Sequence, residues 1–518
     1  MALRYILLQC VMDCIVQTDL SQAGTYRAAA REPAASRRLS DHPLFLGLEL
    51  RGETQIDEMG NEVMSQSRQF PPEEVRDDFV PKEDYLDPDF ARAEAEQLWP
   101  KVWQLACRLE ELPSVGSYVT YDILRDSIIV VRTSEDSVKA FHNVCPHRGN
   151  QLTQGCGRTR QFVCSFHGWR FDLQGHAVQI VDEQDWGDCL STRTVGLNEV
   201  RTGVWGGWVF INMDPNCQAF EEFLEPMSSR CEKYEFEKLR FAWYRSTVVD
   251  ANWKTTVEAF TEFYHVQTTH RQMLVYTNDY STSRAMGRHG WISYSSGTGL
   301  PIGRSPRLPP KKETDFRNYI LEYAEQFKND LNAMQTERAY SAAQRLRTEV
   351  SADAEPMEVI TKWGEFVYEA AVKSGAGWPA DLTPEYMAES GFDWHVFPNT
   401  VFLHPAVEAV LWYRMRPHPG DLEKCLLDIW SLERFPEGQA PEVKREFYED
   451  WREAEWPLIY TQDFTNIPKV QKGMRSRGFK GARPSPMQER AISNFHRVLR
   501  RFMQDPHADD ALGPEDPR

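Results

Sequence analysis

The chain has 518 residues, 41% hydrophobic and 26% charged, ordinary proportions for a globular protein of two or more folding units. Its formal net charge of −18 argues against nucleic acid, whose phosphates want a basic surface, and reads as solubility. The ten cysteines are scattered, and four fall in or near one Cys/His-rich region, which favours metal binding over a disulfide framework and points to the cytoplasm.

In chain order, MALRYILLQCVMDCIVQ is apolar but interrupted by Arg4 and Asp13, and it is too short to span a bilayer. No small-residue cleavage site follows it, so no membrane role is expected. Weak periodicity predicts a disordered or spurious extension over residues 1–75, with Met1, Met59 and Met64 all candidate starts. Ordered pattern begins where Asp87-Pro88-Asp89 precedes a helix carrying Ala91, Ala95 and Leu98. Short strands follow (KVWQLACR, GSYVTYDIL, DSIIVVRT, VKAFHNVC and TGVWGGWVFINMD), which make residues 100–215 a small all-β module. Beyond it, a helical pattern opens near Asn252. A polar helical insertion over 311–373 separates it from strand-like runs (DWHVFPNTVFLHP, VLWYRMRPH, KCLLDIWSLERF). PMQERAISNFHRVLRRFM closes the pattern as a helix. Strands with segregated helices predict an α+β unit over 216–505, and residues 506–518 read as an acidic tail.

Two stretches carry chemistry. CPHRGN and CSFHGW give C-x-H, sixteen residues, then C-x2-H. Two cysteines with two histidines are a legitimate zinc set, but zinc fingers usually pair like with like, whereas each loop here carries one thiol and one imidazole. That suits a two-iron cluster with both thiolates on one iron and both imidazoles on the other. In the second stretch, NWKTTVEAFTEFYHVQTTH, His265 and His270 lie behind Glu258 and Glu262. Five residues turn about 140° of ideal helix, so the two histidines converge on one metal only if the helix distorts or ends between them. Two imidazoles and a carboxylate would form the facial triad of non-haem Fe(II).

At these residues the chain resembles the Rieske non-haem iron oxygenases, in their aromatic-ring-hydroxylating catalytic (alpha) subunit. Pro146, Arg148, Gly149, Gly168 and Trp169 agree with that family beside the ligands. The resemblance makes Cys145, His147, Cys164 and His167 the ligands of a [2Fe–2S] cluster. Asn150 and Phe166 stand where respiratory Rieske proteins carry a second cysteine pair, which disfavours a membrane electron carrier. The resemblance also makes His265 and His270 ligands of a mononuclear Fe(II). It brings the carboxylate ligand from Asp463 in YTQDFTNIPKVQKGMRSRGF, with Asp450 as the rival. Glu262 takes the bridging position, between a cluster histidine of the neighbouring subunit and His265. Ring-hydroxylating members usually carry Asp there, and Glu resembles the branch that oxidises quaternary ammonium compounds. Phe260, Thr261, Tyr264 and Val266 are expected to border the iron cavity.

The resemblance implies residues 76–99 as an N-terminal helical segment of the catalytic domain, whose central antiparallel sheet would be helix-grip (START-like). The implied activity is hydroxylation or dihydroxylation of an aromatic or other cyclic compound, using O2 and reductase-supplied electrons. The alternative is oxidative demethylation or monooxygenation of a quaternary ammonium, methoxy or N-methyl substrate. NAD(P)H enters only through a flavin/iron–sulfur reductase, with or without a ferredoxin. A homotrimer is implied, and a companion beta subunit is compatible with it.

Overall fold

A computed structural model describes residues 79–506 apart from 295–299, 310 and 312–314. The extension expected over 1–75 lies outside the described residues, as does nearly all of the expected tail. Strand β1 (Val80–Pro81) pairs with β20 (Gly481–Ala482), tying the start of the described chain to its last third. The helix expected after Asp87 spans Pro88–Ala93, where Asp87 accepts from Asp89 N at 2.8 Å and Pro88 supplies a preset first turn. The next turn, Glu94–Leu98, is π-helical, which periodicity did not foretell.

The first sheet is antiparallel. Its strands are β2 (Gln104–Arg108), β3 (Ser117–Ile123), β4 (Asp126–Arg132), β5 (Val138–His142), β6 (Cys156–Arg158), β10 (Glu199–Trp205) and β11 (Trp208–Asn212). Their spatial order is β2-β11-β10-β5-β4-β3-β6. A small separate sheet of β7 (Phe162–Val163), β8 (Arg170–Phe171) and β9 (Ala177–Gln179) sits between them in sequence. It has its own core, in which Phe141, Phe162, Trp169 and Phe171 surround Cys145 and Cys164.

The second sheet has eight strands. They are β12 (Arg240–Val249), β13 (Ser281–Met286), β14 (His289–Tyr294), β15 (Asp393–Val396), β16 (Thr400–Ala406), β17 (Ala409–His418), β18 (Asp421–Glu433) and β19 (Glu446–Tyr448). They run β13-β14-β15-β16-β17-β18-β12-β19, antiparallel except at β12 and β19. Strand β17 is buried along nearly its whole length because both of its faces are covered. On one face Trp412 and Trp430 pack on Trp208 of β11, with ring centroids 5.1 and 4.9 Å apart. The same face holds the two sheets together through charge. Arg414 Nη1 donates to Leu105 O at 2.8 Å and Ala106 O at 2.7 Å, and Arg416 Nη1 donates to Asp122 O at 2.7 Å. Asp428 Oδ2 accepts from both arginines, at 2.7 and 3.2 Å, so these buried guanidinium groups are compensated.

The opposite face of β17 meets helices, and this is where the iron-type residues gather. Helix Trp253–Ala259 is capped by Asn252, whose side chain accepts from Lys254 N at 3.0 Å. Trp253 Nε1 and the buried Lys254 Nζ then both bond Glu94 in the π turn, at 3.2 and 2.5 Å. The Asn-Trp-Lys triplet thereby nails the helix start to the N-terminal segment. The expected insertion over 311–373 is helical, with helices at Arg317–Gln326, Glu337–Ala343, Leu346–Glu349 and Pro356–Ser374. It is less solvated than its composition suggests: Ile320, Leu321, Tyr323, Ala324 and Phe366 are buried against the main core. The closing helix spans Arg490–Gln504, four residues later than its sequence pattern begins.

Candidate metal centres

The two Cys/His loops repeat one backbone design. Gly149 N donates to Cys145 O at 2.9 Å, and Cys145 N donates to Asn150 O at 2.8 Å. One loop later, Gly168 N donates to Cys164 O at 2.9 Å, and Cys164 N donates to Trp169 O at 2.8 Å. Gly149 and Gly168 both close their turns at positive φ, +79° and +73°, and at Gly149 a Cβ would meet nothing, so conformation and not space requires the glycine.

The result is four converging donors. Cys145 and Cys164 are 1% and 2% exposed, and the His147 and His167 rings lie 4.6 Å apart. His147 stacks on Trp169 at 4.8 Å and 9°, which fixes its plane. Both Nδ1 atoms are buried without a hydrogen-bond partner, an arrangement that costs free energy unless something binds there. Burial disfavours the Cys164 thiolate, but the N–H groups of Phe166 and His167 with the side chains of Cys145 and Asn150 outweigh it and lower its pKa. Two thiols and two partnerless imidazole nitrogens are the donor set a Rieske [2Fe–2S] cluster needs, and the residues fit it.

The second centre forms where the helix breaks. Helix 253–259 ends at Phe260, and a single turn, Val266–Thr269, follows with His265 before it and His270 after it. His270 leaves the helical region at φ −116° and ψ 48°, so the distortion required for convergence is met by ending the turn at that residue. Helix Leu458–Met474 brings Asp463 in from its buried stripe, which also carries Tyr460, Phe464 and Ile467. Asp463 Oδ1 lies 2.9 Å from His270 Nε2 and 3.8 Å from His265 Nε2, and one donor atom from each of the three residues lies within 4.8 Å of the others.

The outward nitrogens are engaged. Glu262 Oε1 is 2.5 Å from His265 Nδ1, and Glu262 Oε2 accepts from His265 N at 3.0 Å. Gln462 Oε1 is 2.7 Å from His270 Nδ1. An amide oxygen can only accept, so His270 carries its proton on Nδ1 and turns Nε2 inward as a lone pair. Burial pulls the His265 pKa down, but the Glu262 charge beside it prevails and lifts it to about 9. Two inward Nε2 atoms and one carboxylate fit a mononuclear Fe(II).

Several expectations shift in detail. Glu258 belongs to another network: its Oε1 lies 2.7 Å from His496 Nε2, whose Nδ1 faces Asp84 at 3.0 Å. Asp450 caps an exposed turn and pairs with Arg452, leaving Asp463 as the carboxylate beside the two histidines. Tyr264, expected at the border of the iron site, is 42% exposed, and the Arg307 guanidinium lies over its ring. Gln462 was missed by sequence reasoning; its only signal was adjacency to Asp463.

A soft set of two thiols and two imidazoles suits an iron–sulfur cluster, and the second set of two imidazoles and a carboxylate in the same chain suits a mononuclear iron. The model of the Rieske [2Fe-2S] domain matches residues 102–191, and that of the ring hydroxylating alpha subunit (catalytic domain) matches residues 236–505. The chain belongs to the ring-hydroxylating alpha-subunit family of Rieske non-haem iron oxygenases, which bind a [2Fe–2S] cluster and a mononuclear iron.

The chain is 32% identical over 199 residues to the glycine betaine monooxygenase oxygenase subunit of Chromohalobacter salexigens, covering 38% of this chain and 44% of that protein. It is 33% identical over 194 residues to the carnitine monooxygenase oxygenase subunit of Escherichia coli K12, covering 37% and 52%. The chain thus spans about half the length of the curated relatives it matches. Among solved structures, the quaternary ammonium Rieske monooxygenase CntA in complex with L-carnitine superposes with a TM-score of 0.56 at 19% identity, covering 84% of this chain and all of that one. Naphthalene 1,2-dioxygenase from Rhodococcus sp. bound to indole gives 0.53 at 19%, covering 86% and 98%. Among the described residues no helix is long and apolar enough to cross a membrane.

Proposed function

We propose that the chain is the terminal oxygenase of a multicomponent system and inserts oxygen into a C–H bond of a small organic substrate. Cys145, His147, Cys164 and His167 would hold the cluster, and His265, His270 and Asp463 the mononuclear iron. When bound, the cluster supplies one-electron transfer and the mononuclear iron supplies O2 activation. The protein's own residues then set the conditions. Glu262 holds the proton at His265 Nδ1 and Gln462 the one at His270 Nδ1, which keeps both Nε2 atoms aimed inward. The observation that carries the reading is the meeting of the two Nε2 atoms and Asp463 Oδ1, with both outward nitrogens already committed.

Electrons come from an NAD(P)H-dependent flavin/iron–sulfur reductase, directly or through a ferredoxin, in the cytoplasm. A head-to-tail homotrimer brings His167 of one copy to Glu262 of the next, since such an interface closes by rotation. A beta subunit is compatible with this assembly. The carnitine and glycine betaine relatives, with a Glu at the bridge of this chain, favour substrates bearing an ammonium group. Hydroxylation of a carbon attached to nitrogen gives a product that releases an aldehyde by C–N cleavage. Hydroxylation of an aromatic or other cyclic compound is the second reading, favoured by the family model over residues 236–505.

The test is iron counting with absorption and EPR spectra, followed by O2 uptake with a surrogate reductase on a panel of ammonium and aromatic compounds. Three irons per chain and substrate-dependent uptake are expected. Two irons per chain and no uptake would make it an electron carrier.

A further inference from the structure

One buried histidine has no place in the proposed chemistry. His496, on the closing helix Arg490–Gln504, is 3% exposed, and both of its ring nitrogens meet carboxylates. Nδ1 lies 3.0 Å from Asp84 Oδ2, and Nε2 lies 2.7 Å from Glu258 Oε1. An ionised carboxylate only accepts, so each nitrogen carries a proton and the ring is an imidazolium. Burial opposes that charge, but the bonds and charges of Asp84 and Glu258 prevail and raise the ring's pKa. Arg500 Nη2 donates to Asp84 Oδ1 at 2.6 Å, so two cations face two anions. Two further titratable groups beside the ring are neutral. Tyr85, whose ring lies 5.1 Å away, is held as the phenol by burial and then by Glu258, and burial lowers the His395 pKa to about 4.

These residues come from three separate stretches of chain. Asp84 sits in the N-terminal turn Glu83–Leu86, and Glu258 is the penultimate residue of helix Trp253–Ala259. Glu258 O accepts from Thr261 N at 3.1 Å and from Thr261 Oγ1 at 3.0 Å, and the next residue is Glu262, which holds His265. Ring packing on Tyr413 and Tyr294 seats Phe260 and Phe263 on the sheet, while the end of the helix itself is held by the charged contact. We propose that His496 is a positioning residue of the mononuclear centre: its imidazolium ties Glu258 to Asp84 and so fixes the turn that presents Glu262 to His265. Removing one partner of a buried ion pair leaves the other charge uncompensated, so without the imidazolium the helix end shifts to carry Glu258 toward water. The inference rests on the oxygenase reading above and adds to it a residue that touches none of the three iron-binding side chains.

The test is Fe(II) titration of the cluster-loaded full chain, after removal of its mononuclear iron, in a double-mutant cycle of His496→Gln and Glu262→Ala. Gln keeps a donor but removes the charge. In the parent background His496→Gln should weaken Fe(II) binding about 10-fold, the lower end of what outer partners of metal ligands cost. In the Glu262→Ala background the same change should cost less than about 2-fold, because the contact it positions is gone. Nitric oxide added to the Fe(II) form, with the cluster oxidised and EPR-silent, gives a signal whose rhombicity reports ligand geometry, and His496→Gln should change it. Glu258→Ala frees the helix end and leaves His496 paired with Asp84. It should reproduce both effects, and it carries the test if His496→Gln does not fold. Unchanged Fe(II) affinity or an unchanged line shape in the folded variant would overturn the proposal. An equal loss in both backgrounds would also overturn it, by marking a general structural role. In each of these cases Fe(II) binding by the parent leaves the oxygenase reading standing, whereas a parent that binds no Fe(II) would remove that reading and this inference together.

Discussion

Glu262 grips His265 at two points, its Oε1 2.5 Å from the ring Nδ1 and its Oε2 accepting from the backbone N–H at 3.0 Å. The i, i+3 spacing lets one carboxylate reach both, and the second bond fixes the backbone that aims the ring. At 8% exposure the acid is buried beside the ring it holds.

Replacing Glu262 with Gln keeps size and removes the charge. Both iron centres should remain bound and the cluster should still be reduced by the reductase. Product formed per reduced cluster should fall by at least ~10-fold, the scale on which outer partners of metal ligands act. Glu262→Asp keeps the charge and should retain measurable activity. Single-turnover assays decide it, and a Gln variant matching the parent in cluster oxidation and yield would end the bridging role.

Cys145→Ser and His147→Ala each remove one of four converging donors. Either should abolish the visible absorption and the EPR signal of the reduced cluster. A parent protein that is colourless and redox-silent would point to zinc instead, and the oxygenase reading would fall with the cluster.

Asp463→Ala should lose mononuclear iron and turnover while keeping the cluster spectrum. Gln462→Ala leaves the ligands in place but frees His270 Nδ1, and should weaken iron binding by about 10–100-fold. Iron titration of the two variants checks both, and full activity in Asp463→Ala would mean that another carboxylate completes the set.

Asp428 compensates Arg414 and Arg416 where the two sheets meet. Asp428→Asn strands two buried guanidinium groups and should cost about 3–5 kcal/mol in denaturant unfolding. A loss below about 1 kcal/mol, the scale of an ordinary exposed pair, would show that the backbone carbonyls of Leu105, Ala106 and Asp122 suffice.

His289 supplies a pH dependence. Its Nε2 lies 2.9 Å from Phe223 O, and Phe397 N donates to its Nδ1 at 3.2 Å, so the buried ring is fixed as the neutral Nε2–H tautomer. Burial first, then the Arg288 charge, lowers its pKa from 6.5 to about 3. Between those values the unfolded chain binds the extra proton and the folded chain does not, so this contribution to stability is present above pH 6.5 and lost as pH falls toward 3. Thermal unfolding from about pH 7 to about pH 4 should show a shallower decline for His289→Gln than for the parent. Parallel curves would refute the assignment.

The residue types and local spacings were legible in the sequence. C-x-H and C-x2-H with their glycines name a four-donor pair of loops, because a turn that needs positive φ and a soft-and-imidazole donor set leave a short local signature. Short apolar runs between Gly, Asp and Ser turns likewise announce β2 to β5, although the single strand read in TGVWGGWVFINMD is a hairpin of β10 and β11 turning at Gly206–Gly207. What the sequence left open is what depends on distant chain. The convergence of His265 and His270 rests on a turn that stops at His270. Glu258 and Glu262 look alike in sequence, yet His496, 238 residues away, takes the first and leaves the second for His265. Asp463 and Gln462 arrive from a helix nearly two hundred positions on, selected by which stripe of that helix the sheet buries. Local donor chemistry is encoded in neighbouring residues, whereas the pairing of remote side chains is decided by how the sheet and helices pack, which only the tertiary structure supplies.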